Sequence, residues 1–144
     1  LQIIFGNKYV HLVKDVIIPY QWDILNDKLE DVETSHCIGK FKIAAGEKEG
    51  EFQGAVFQDT DVAKWLEAVG FVLNYERDEK LEELADETIE LIGRAQQPDG
   101  YLNTYFTIKE PDGDGVILLE GHEAYTAGHM IEAAVAYYEA TGKT

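Results

Sequence analysis

The sequence has one cysteine, Cys37, among its 144 residues. A single thiol excludes a disulfide framework within the chain, and it also excludes a metal site built from several cysteines. Cys37 is interpreted as a packed or half-exposed thiol rather than as a nucleophile. We therefore expect neither a metal site nor tight zinc binding within these residues.

Basic residues are scarce. There are 12 lysines and arginines against 28 acidic residues, which gives a formal net charge of -16. This balance argues against nucleic acid or an anionic membrane surface as a partner, and it suits a neutral or cationic ligand. The sequence also has no glycine-rich phosphate loop, no signal-like segment and no apolar run long enough to span a bilayer. A cytoplasmic location is the expectation.

Strand patterns are weak, while helical periodicity recurs, so we predict an all-α fold in one domain. The apolar spacing predicts a first helix over residues 9–29, which Pro19 should kink or split. Residues 31–54 lack a stable period and are predicted to be a long loop. Asp59 or Thr60 is predicted to cap the second helix, over residues 62–75, which is apolar around much of its circumference.

After a tight turn, the third helix should be amphipathic, with one apolar stripe and one acidic face over residues 79–94. A turn at residues 97–100 should lead to a short extended piece over residues 101–106. A second turn, at residues 111–115, precedes residues 116–119.

Residues 121–143 predict a final helix that is apolar almost all round and has a polar head at His122, Glu123 and Thr126. Gly142 should end it, because glycine adopts the left-handed conformation without steric cost. The two inner helices, over residues 62–75 and 123–140, should be more buried than the outer one.

This order of inner and outer helices places both long loops at one end of a bundle. The residues gathered there are the substrate-binding candidates Gln53, Asp61, Tyr101, His122 and Glu123. Asp59 is assigned to capping instead, while Asp61 is expected to face the loops. For Tyr101 two interpretations stand, stacking on a sugar face or covering the core. For His122 they are helix-cap structure or ligand contact.

Two histidines on the last predicted helix are possible metal ligands. His122 and His129 are seven residues apart, about 10 Å along a helix axis, which is too far for them to share an ion. His129 and Glu132 have suitable spacing, but such pairs arise often by chance. His129 is therefore interpreted as a packed histidine with one hydrogen bond.

Three blocks resemble a known family: EGEFQGAVFQDTDVAKWLEA, LEELADETIELIGRAQQPDGYLNTYFT and HEAYTAGHMIEAAVAYYEATGK. Together they are similar to the N-terminal part of glycoside hydrolase family 127, the β-L-arabinofuranosidases, over residues 46–143. The resemblance implies part of an (α/α)6 barrel and a retaining mechanism with a cysteine nucleophile on a zinc site of cysteines and a glutamate. It places those residues later in the barrel, so no catalytic residue is expected in this chain, and residues 1–144 alone should be inactive.

The resemblance also assigns roles to residues of this sequence. His122 falls on a family histidine that contacts the sugar, and Asp61, Glu123 and Gln53 lie in matched motifs. Thr126 stands where family members often have a cysteine, and residues 118–121 depart from the family pattern, which leaves the sugar preference open. The implied partners are an arabinose-containing plant-type glycan and the rest of the barrel or a second copy of the chain.

We accordingly expect an excerpt of a longer glycoside hydrolase. The helix faces that carry Trp65 and residues 130–138 should therefore be exposed, because the neighbours they would pack on are missing. Two alternatives remain: another α/α-toroid enzyme, such as an unsaturated-uronyl hydrolase or a sugar epimerase, and a non-catalytic helical binding module.

Overall fold

A computed structural model describes residues 4–109 and 121–144, and within those ranges the chain is helical with no strand. The predicted turn at residues 111–115 and residues 116–119 lie outside these ranges. The helices are α1 (Ile4–Leu12), α2 (Ile18–Leu25), α3 (Cys37–Ala44), α4 (Asp59–Tyr75), α5 (Glu79–Ala95), α6 (Thr104–Lys109) and α7 (Glu123–Thr141), with a π-helical turn, Val13–Ile17, between α1 and α2.

The long helices α4 and α7 pack side by side and run in the same direction. Near their starts, Lys64 Nζ donates to the hydroxyl of Tyr125 over 3.1 Å. Further along, Gly70 lies against the backbone of Ala136, where a Cβ on Gly70 would come within 2.8 Å. Glycine permits this close approach. Because the two helices are parallel, both of their N-termini lie at the same end of the molecule.

Helix α5 follows α4 in the chain and packs on the outer side of the α4–α7 pair. Asp78 caps it by accepting from the backbone N–H of Leu81 over 3.1 Å, as a short polar side chain before a helix commonly does. Its first half meets the end of α7, where the Tyr137 hydroxyl donates to Asp86 over 2.6 Å. Its buried residues recur every three or four positions, which confirms the predicted amphipathic outer helix: Glu82, Ala85, Thr88, Leu91 and Ala95.

Pro19 does not split the first helical region. Proline lacks the N–H that an α-helix needs, and here it lies in the first turn of α2 directly after the π-helical turn. In that turn the N–H of Ile18 bonds to the carbonyl of Val13, five residues back. The wider turn carries the chain past the proline without a break in helical structure.

Two predicted irregular segments are helical. Residues 37–44, predicted as loop, form α3, and its buried face carries Cys37, Ile38, Lys40 and Phe41. Residues 104–109 form α6, whose first three residues were predicted to belong to the extended piece over residues 101–106. Both helices are short, so each contains too few repeats of the helical period to be recognised in the sequence.

The core lies around α4. Its Trp65 is 1% exposed, stacks on Trp22 at 4.5 Å between ring centroids, and donates from Nε1 to the carbonyl of Ile18. The expectation that the Trp65 face would be exposed in a chain of this length is therefore wrong. The expectation that α4 is more buried than α5 is confirmed.

Helix α7 behaves differently from the prediction of a buried inner helix. Only Thr126, Ala133, Ala136 and Tyr137 are buried, so α7 is not more buried than α5. Ile131, Val135 and Tyr138 are 64%, 51% and 54% exposed. This outcome confirms the expectation that the apolar face around residues 130–138 would lie bare. Gly142 ends the helix with φ 73°, as predicted.

Within residues 4–109 and 121–144, none of the helices is both long and apolar enough to cross a bilayer.

Candidate functional site

The candidate site lies where α4 and α7 begin. We use the name helix-start rim for the residues at this end that carry polar or aromatic side chains near the two N-termini: Phe57, Asp61, Lys64, Tyr101, His122, Glu123 and Tyr125. Helix N-termini present unbonded backbone N–H groups and a partial positive charge, which suits the binding of oxygen-rich ligands.

Asp59 stabilises the start of α4 but does not cap it. The cap position is Gln58, and Asp59 follows as the first helical residue, 1% exposed. Its carboxylate accepts from the backbone N–H of Thr104 over 2.7 Å and from the Thr104 hydroxyl over 2.6 Å. Burial raises the pKa of Asp59, against the lowering effect of these two hydrogen bonds. The predicted capping role is therefore wrong, and Asp59 joins α4 to α6.

Beside Asp59, a buried lysine is held by the amide of Gln58. Lys40 Nζ donates to Gln58 Oε1 over 3.0 Å, and the N–H of Ala55 donates to the same oxygen over 2.8 Å. The ammonium also lies 4.9 Å from the centre of the Phe52 ring. Burial lowers the pKa of Lys40. These contacts account for the shape of the loop that precedes α4.

The thiol of Cys37 belongs to the same buried region. Its Sγ donates to the carbonyl of Gln58 over 3.5 Å, and burial raises its pKa to about 11. A thiolate is the form that attacks carbon and binds zinc, so this environment suits neither task. The zinc implied by the family resemblance requires cysteines with a glutamate, and Cys37 does not fit such a set.

Tyr101 and Glu123 form a hydrogen-bonded pair at the start of α7, where the tyrosine hydroxyl donates to Glu123 Oε1. Burial raises the pKa of Tyr101, and the hydrogen bond to Glu123 raises it further. The second carboxylate oxygen, Oε2, is buried and has no hydrogen-bond partner among the described residues. A buried acceptor without a partner is costly in free energy, so this oxygen is well suited to accept from a ligand hydroxyl.

His122 occupies the position before α7 with φ 53°, in the left-handed region that non-glycine residues adopt infrequently. Its carbonyl accepts the first hydrogen bond of the helix from the N–H of Thr126 over 2.8 Å. Its ring lies 5.5 Å from the ring of Phe57 and 6.1 Å from the ring of Tyr125, measured between centroids. The backbone turn thus places the imidazole between two aromatic rings of the rim.

Asp61 and Gln53 lie further from this group. Asp61 is half-buried on the first turn of α4. Together with Lys64 it lines a cavity of about 220 Å³ whose other lining residues are Gln21, Ile24, Leu25, Ser35 and Trp65. Gln53 is exposed in the loop before α4. The structure therefore pairs Tyr101 with Glu123 directly. That His122, Asp61 and Gln53 share one pocket stays a prediction.

Three residues of the rim were not identified from the sequence: Phe57, Lys64 and Tyr125. Lys64 bonds to Tyr125 and also to the Thr60 hydroxyl, over 3.2 Å, so it links the two helix starts. The available signal was weak: Lys64 follows Asp61 by one turn on the same face, but its contact with Tyr125 spans 61 positions. No local pattern predicts a contact of that separation.

Comparison with known proteins identifies the family. The family model described as "Beta-L-arabinofuranosidase, GH127 catalytic domain" matches residues 4–144. The non-reducing end β-L-arabinofuranosidase of Bifidobacterium longum subsp. longum is 42% identical over 150 residues, which cover 90% of this chain and 22% of that protein.

Solved structures agree. A GH127 β-L-arabinofuranosidase from Geobacillus stearothermophilus T6 is 62% identical with a TM-score of 0.94, and a GH127 β-arabinofuranosidase is 31% identical with a TM-score of 0.82. Each comparison covers 96% of this chain and 22% of the other. The chain thus spans about a fifth of the length of the relatives it matches, and its helices form part of an (α/α)6 barrel. The choice between α/α-toroid enzyme families is settled by these matches: the chain belongs to the glycoside hydrolase family 127 catalytic domain family.

Proposed function

We propose that the protein containing this chain is a glycoside hydrolase that removes β-L-arabinofuranose units from the non-reducing ends of plant-type, arabinose-containing glycans. The observation that carries the proposal is the family match over residues 4–144. The Bifidobacterium longum relative is a non-reducing end β-L-arabinofuranosidase, and by analogy it suggests the sugar and the position of cleavage.

In this proposal residues 1–144 supply one wall of the sugar pocket and no catalytic residue. The wall is the helix-start rim. Sugars are bound by hydrogen bonds to their hydroxyls and by contact with aromatic faces, and the rim offers both. Glu123 Oε2 provides a buried acceptor without a partner, while Phe57 and Tyr125 flank the ring of His122. A carboxylate fixed on one side by Tyr101 is held in place before a sugar arrives.

The reaction is proposed to retain the anomeric configuration. A retaining glycosidase forms a covalent bond from its nucleophile to the anomeric carbon as the leaving group departs with a proton. Water then breaks that bond and delivers the hydroxyl to the original face. The family resemblance assigns the nucleophile and the zinc to later parts of the barrel, so no step is assigned to a residue of this chain.

The test is an assay of the full protein that contains this chain on 4-nitrophenyl β-L-arabinofuranoside. We expect turnover, and NMR of the first product formed should show the β anomer. Glu123→Gln should lower kcat/KM about 10- to 100-fold, because a hydrogen bond to a charged group contributes about 1.5–3 kcal/mol. His122→Ala should lower it by a similar factor.

The matched control is Glu139→Gln, which changes the same residue type on α7 at an exposed position away from the rim. It should leave kcat/KM unchanged. Absence of turnover on the arabinofuranoside, with turnover on another glycoside, would refute the proposed sugar. Equal effects of Glu123→Gln and Glu139→Gln would refute the role of the rim.

A further inference from the structure

The parallel packing of α4 and α7 brings three potential metal ligands together one to two turns below the helix-start rim. Glu67 comes from α4, and His129 and Glu132 come from α7. One ligand atom from each of the three side chains lies within 4.8 Å of the other two. The sequence displays only the pair on α7, because Glu67 is 62 positions away from His129.

A second observation concerns the imidazole of His129. Its Nδ1 is buried and makes no hydrogen bond among the described residues, although Oε2 of Glu132 is only 3.0 Å away. At that separation the absence of a hydrogen bond means that the oxygen lies off the N–H direction of the ring. Two atoms that bind one ion have this relation, because each lone pair points at the ion and not at the other ligand. The sequence-based interpretation of His129 as a packed histidine with one hydrogen bond does not describe this geometry.

We propose that Glu67, His129 and Glu132 bind a divalent transition-metal ion that joins α4 to α7. One imidazole nitrogen and two carboxylate oxygens form a ligand set of the kind zinc accepts, and imidazole disfavours magnesium and calcium. The set contains no cysteine, so it is not the cysteine and glutamate set that the resemblance implies. It also departs from the expectation, drawn from the sequence, that this chain has no metal site.

The geometry permits the site with small movements. Ligand bonds of about 2.0–2.1 Å place two ligands of a tetrahedral zinc roughly 3.4 Å apart. The 3.0 Å between His129 and Glu132 is near that value, and the wider separations close by rotation of side chains. Glu132 has room to rotate, since its side chain is 59% exposed.

The rest of the site is rigid. Gly70 holds α4 against Ala136, one turn beyond the ligands. The rings of His129 and Tyr125 pack edge to face at 4.7 Å between centroids. Lys64, the neighbouring cation, is turned toward Thr60 and Tyr125 and bonds to both. Ligands fixed on packed helices bind a metal with little loss of conformational entropy.

The experiment measures zinc in the full chain that carries these residues. The protein is dialysed against Zn²⁺, freed of unbound ion and analysed by atomic emission. We expect Glu67→Gln and His129→Gln each to contain one equivalent of zinc fewer than the unsubstituted protein. Counting the difference makes the result independent of zinc bound elsewhere in the protein.

Glu139→Gln is the matched control, because Glu139 is exposed on the same helix outside the cluster, and its zinc content should be unchanged. Thermal unfolding is the second readout. Chelation with EDTA should lower the Tm of the unsubstituted protein more than that of Glu67→Gln. Equal zinc content in all four proteins, with the same EDTA effect on each, would overturn the proposal and leave the cluster as a charged contact between two helices.

Discussion

Helices α4 and α7 are neighbours of similar length that run in the same direction, yet they are buried to different degrees. Ten of the 17 residues of α4 are buried, against four of the 19 residues of α7. Both sequences are apolar around most of their circumference, so composition does not account for the difference. What differs is the number of neighbours: α4 packs against α2, α3, α5 and α7, whereas α7 packs mainly against α4.

The uncovered face of α7 borders an apolar groove of about 560 Å³. Residues from α4, α5 and α7 line it, among them Leu66, Ile92, Met130 and Val135. An inner helix of an (α/α)6 barrel contacts neighbours on both sides, and this chain spans only 22% of its relatives. The comparison teaches that an apolar circumference does not by itself determine how much of a helix is buried within these residues; the number of packed neighbours does.

The two helix starts differ in the same way. Asp59 opens α4 with both carboxylate oxygens bonded to Thr104. Glu123 opens α7 with one oxygen bonded to Tyr101 and the other without a partner among the described residues. The two carboxylates occupy equivalent helical positions but have different partners: that of Asp59 stabilises the fold, and one oxygen of Glu123 remains available to a ligand.

The largest expected effect on stability is that of Asp59→Ala. It leaves two buried donors of Thr104 without an acceptor, at about 1–3 kcal/mol each, so the free energy of unfolding should fall by about 2–6 kcal/mol. Thermal or denaturant unfolding of the full protein measures this. Glu123→Gln is the comparison, and we expect a change below about 1 kcal/mol, because the Tyr101 hydrogen bond can be kept. A larger loss for Glu123→Gln than for Asp59→Ala would reverse the assignment of the two carboxylates.

The next effect is at the contact between the two helices. In Gly70→Ala the added Cβ would lie 2.8 Å from the Ala136 carbonyl carbon and 2.9 Å from its oxygen, so the helices must separate. Overpacking of this kind costs about 1–3 kcal/mol, and we expect a fall in Tm.

Gly93→Ala provides the matched control. Gly93 lies within α5, and a Cβ there would meet no atom within 4 Å. Alanine is favoured over glycine in a helix by about 1 kcal/mol, so this variant should be more stable than the parent. If both alanine variants gain stability, the close approach of α4 and α7 is not what Gly70 provides.

A charge on the exposed apolar face of α7 should be favourable in residues 1–144 alone and unfavourable in the full protein. In residues 1–144 alone, Val135→Lys should reduce self-association, because it places a charge in an exposed apolar patch. In the full protein the same change should lower Tm by burying that charge against the rest of the barrel. Size-exclusion chromatography with light scattering and thermal unfolding are the two measurements. Val135→Lys that is harmless in the full protein would show that this face stays exposed there.

Residue patterns predicted the long helices well because each long helix carries several repeats of its period. The amphipathic stripe of α5, the glycine that ends α7 and the order of inner and outer helices all follow from local spacing. The short helices α3 and α6 were missed, since eight and six residues give too few repeats.

The candidate site was predicted less completely. Its location at one end of the bundle followed from loop lengths, and the Tyr101–Glu123 contact agrees with it. The role of Asp59 was assigned wrongly because its partner, Thr104, is 45 positions away. Lys64 and Glu67 were missed for the same reason: their contacts depend on the register between α4 and α7, which no local pattern records.

The smallest expected effect concerns Cys37, which is buried at the start of α3 where that helix packs against α4. Burial raises its pKa from 9.0 to about 11, so at pH 8 the thiolate fraction should be about 100-fold lower than for an unperturbed thiol. Alkylation by iodoacetamide, followed by peptide mass spectrometry, should therefore be slower than in the denatured protein by at least that factor. Because the Cys37 thiol keeps its proton to higher pH in the folded state than in the unfolded state, its protonation stabilises the folded state. This stabilisation is complete below pH 9 and is lost as pH rises through about 11. Cys37→Ala should weaken the decrease in stability between those values. Rapid alkylation of the native protein at pH 8 would show instead that the thiol is accessible and ionised, and that this side of α4 is no more closed than the bare face of α7.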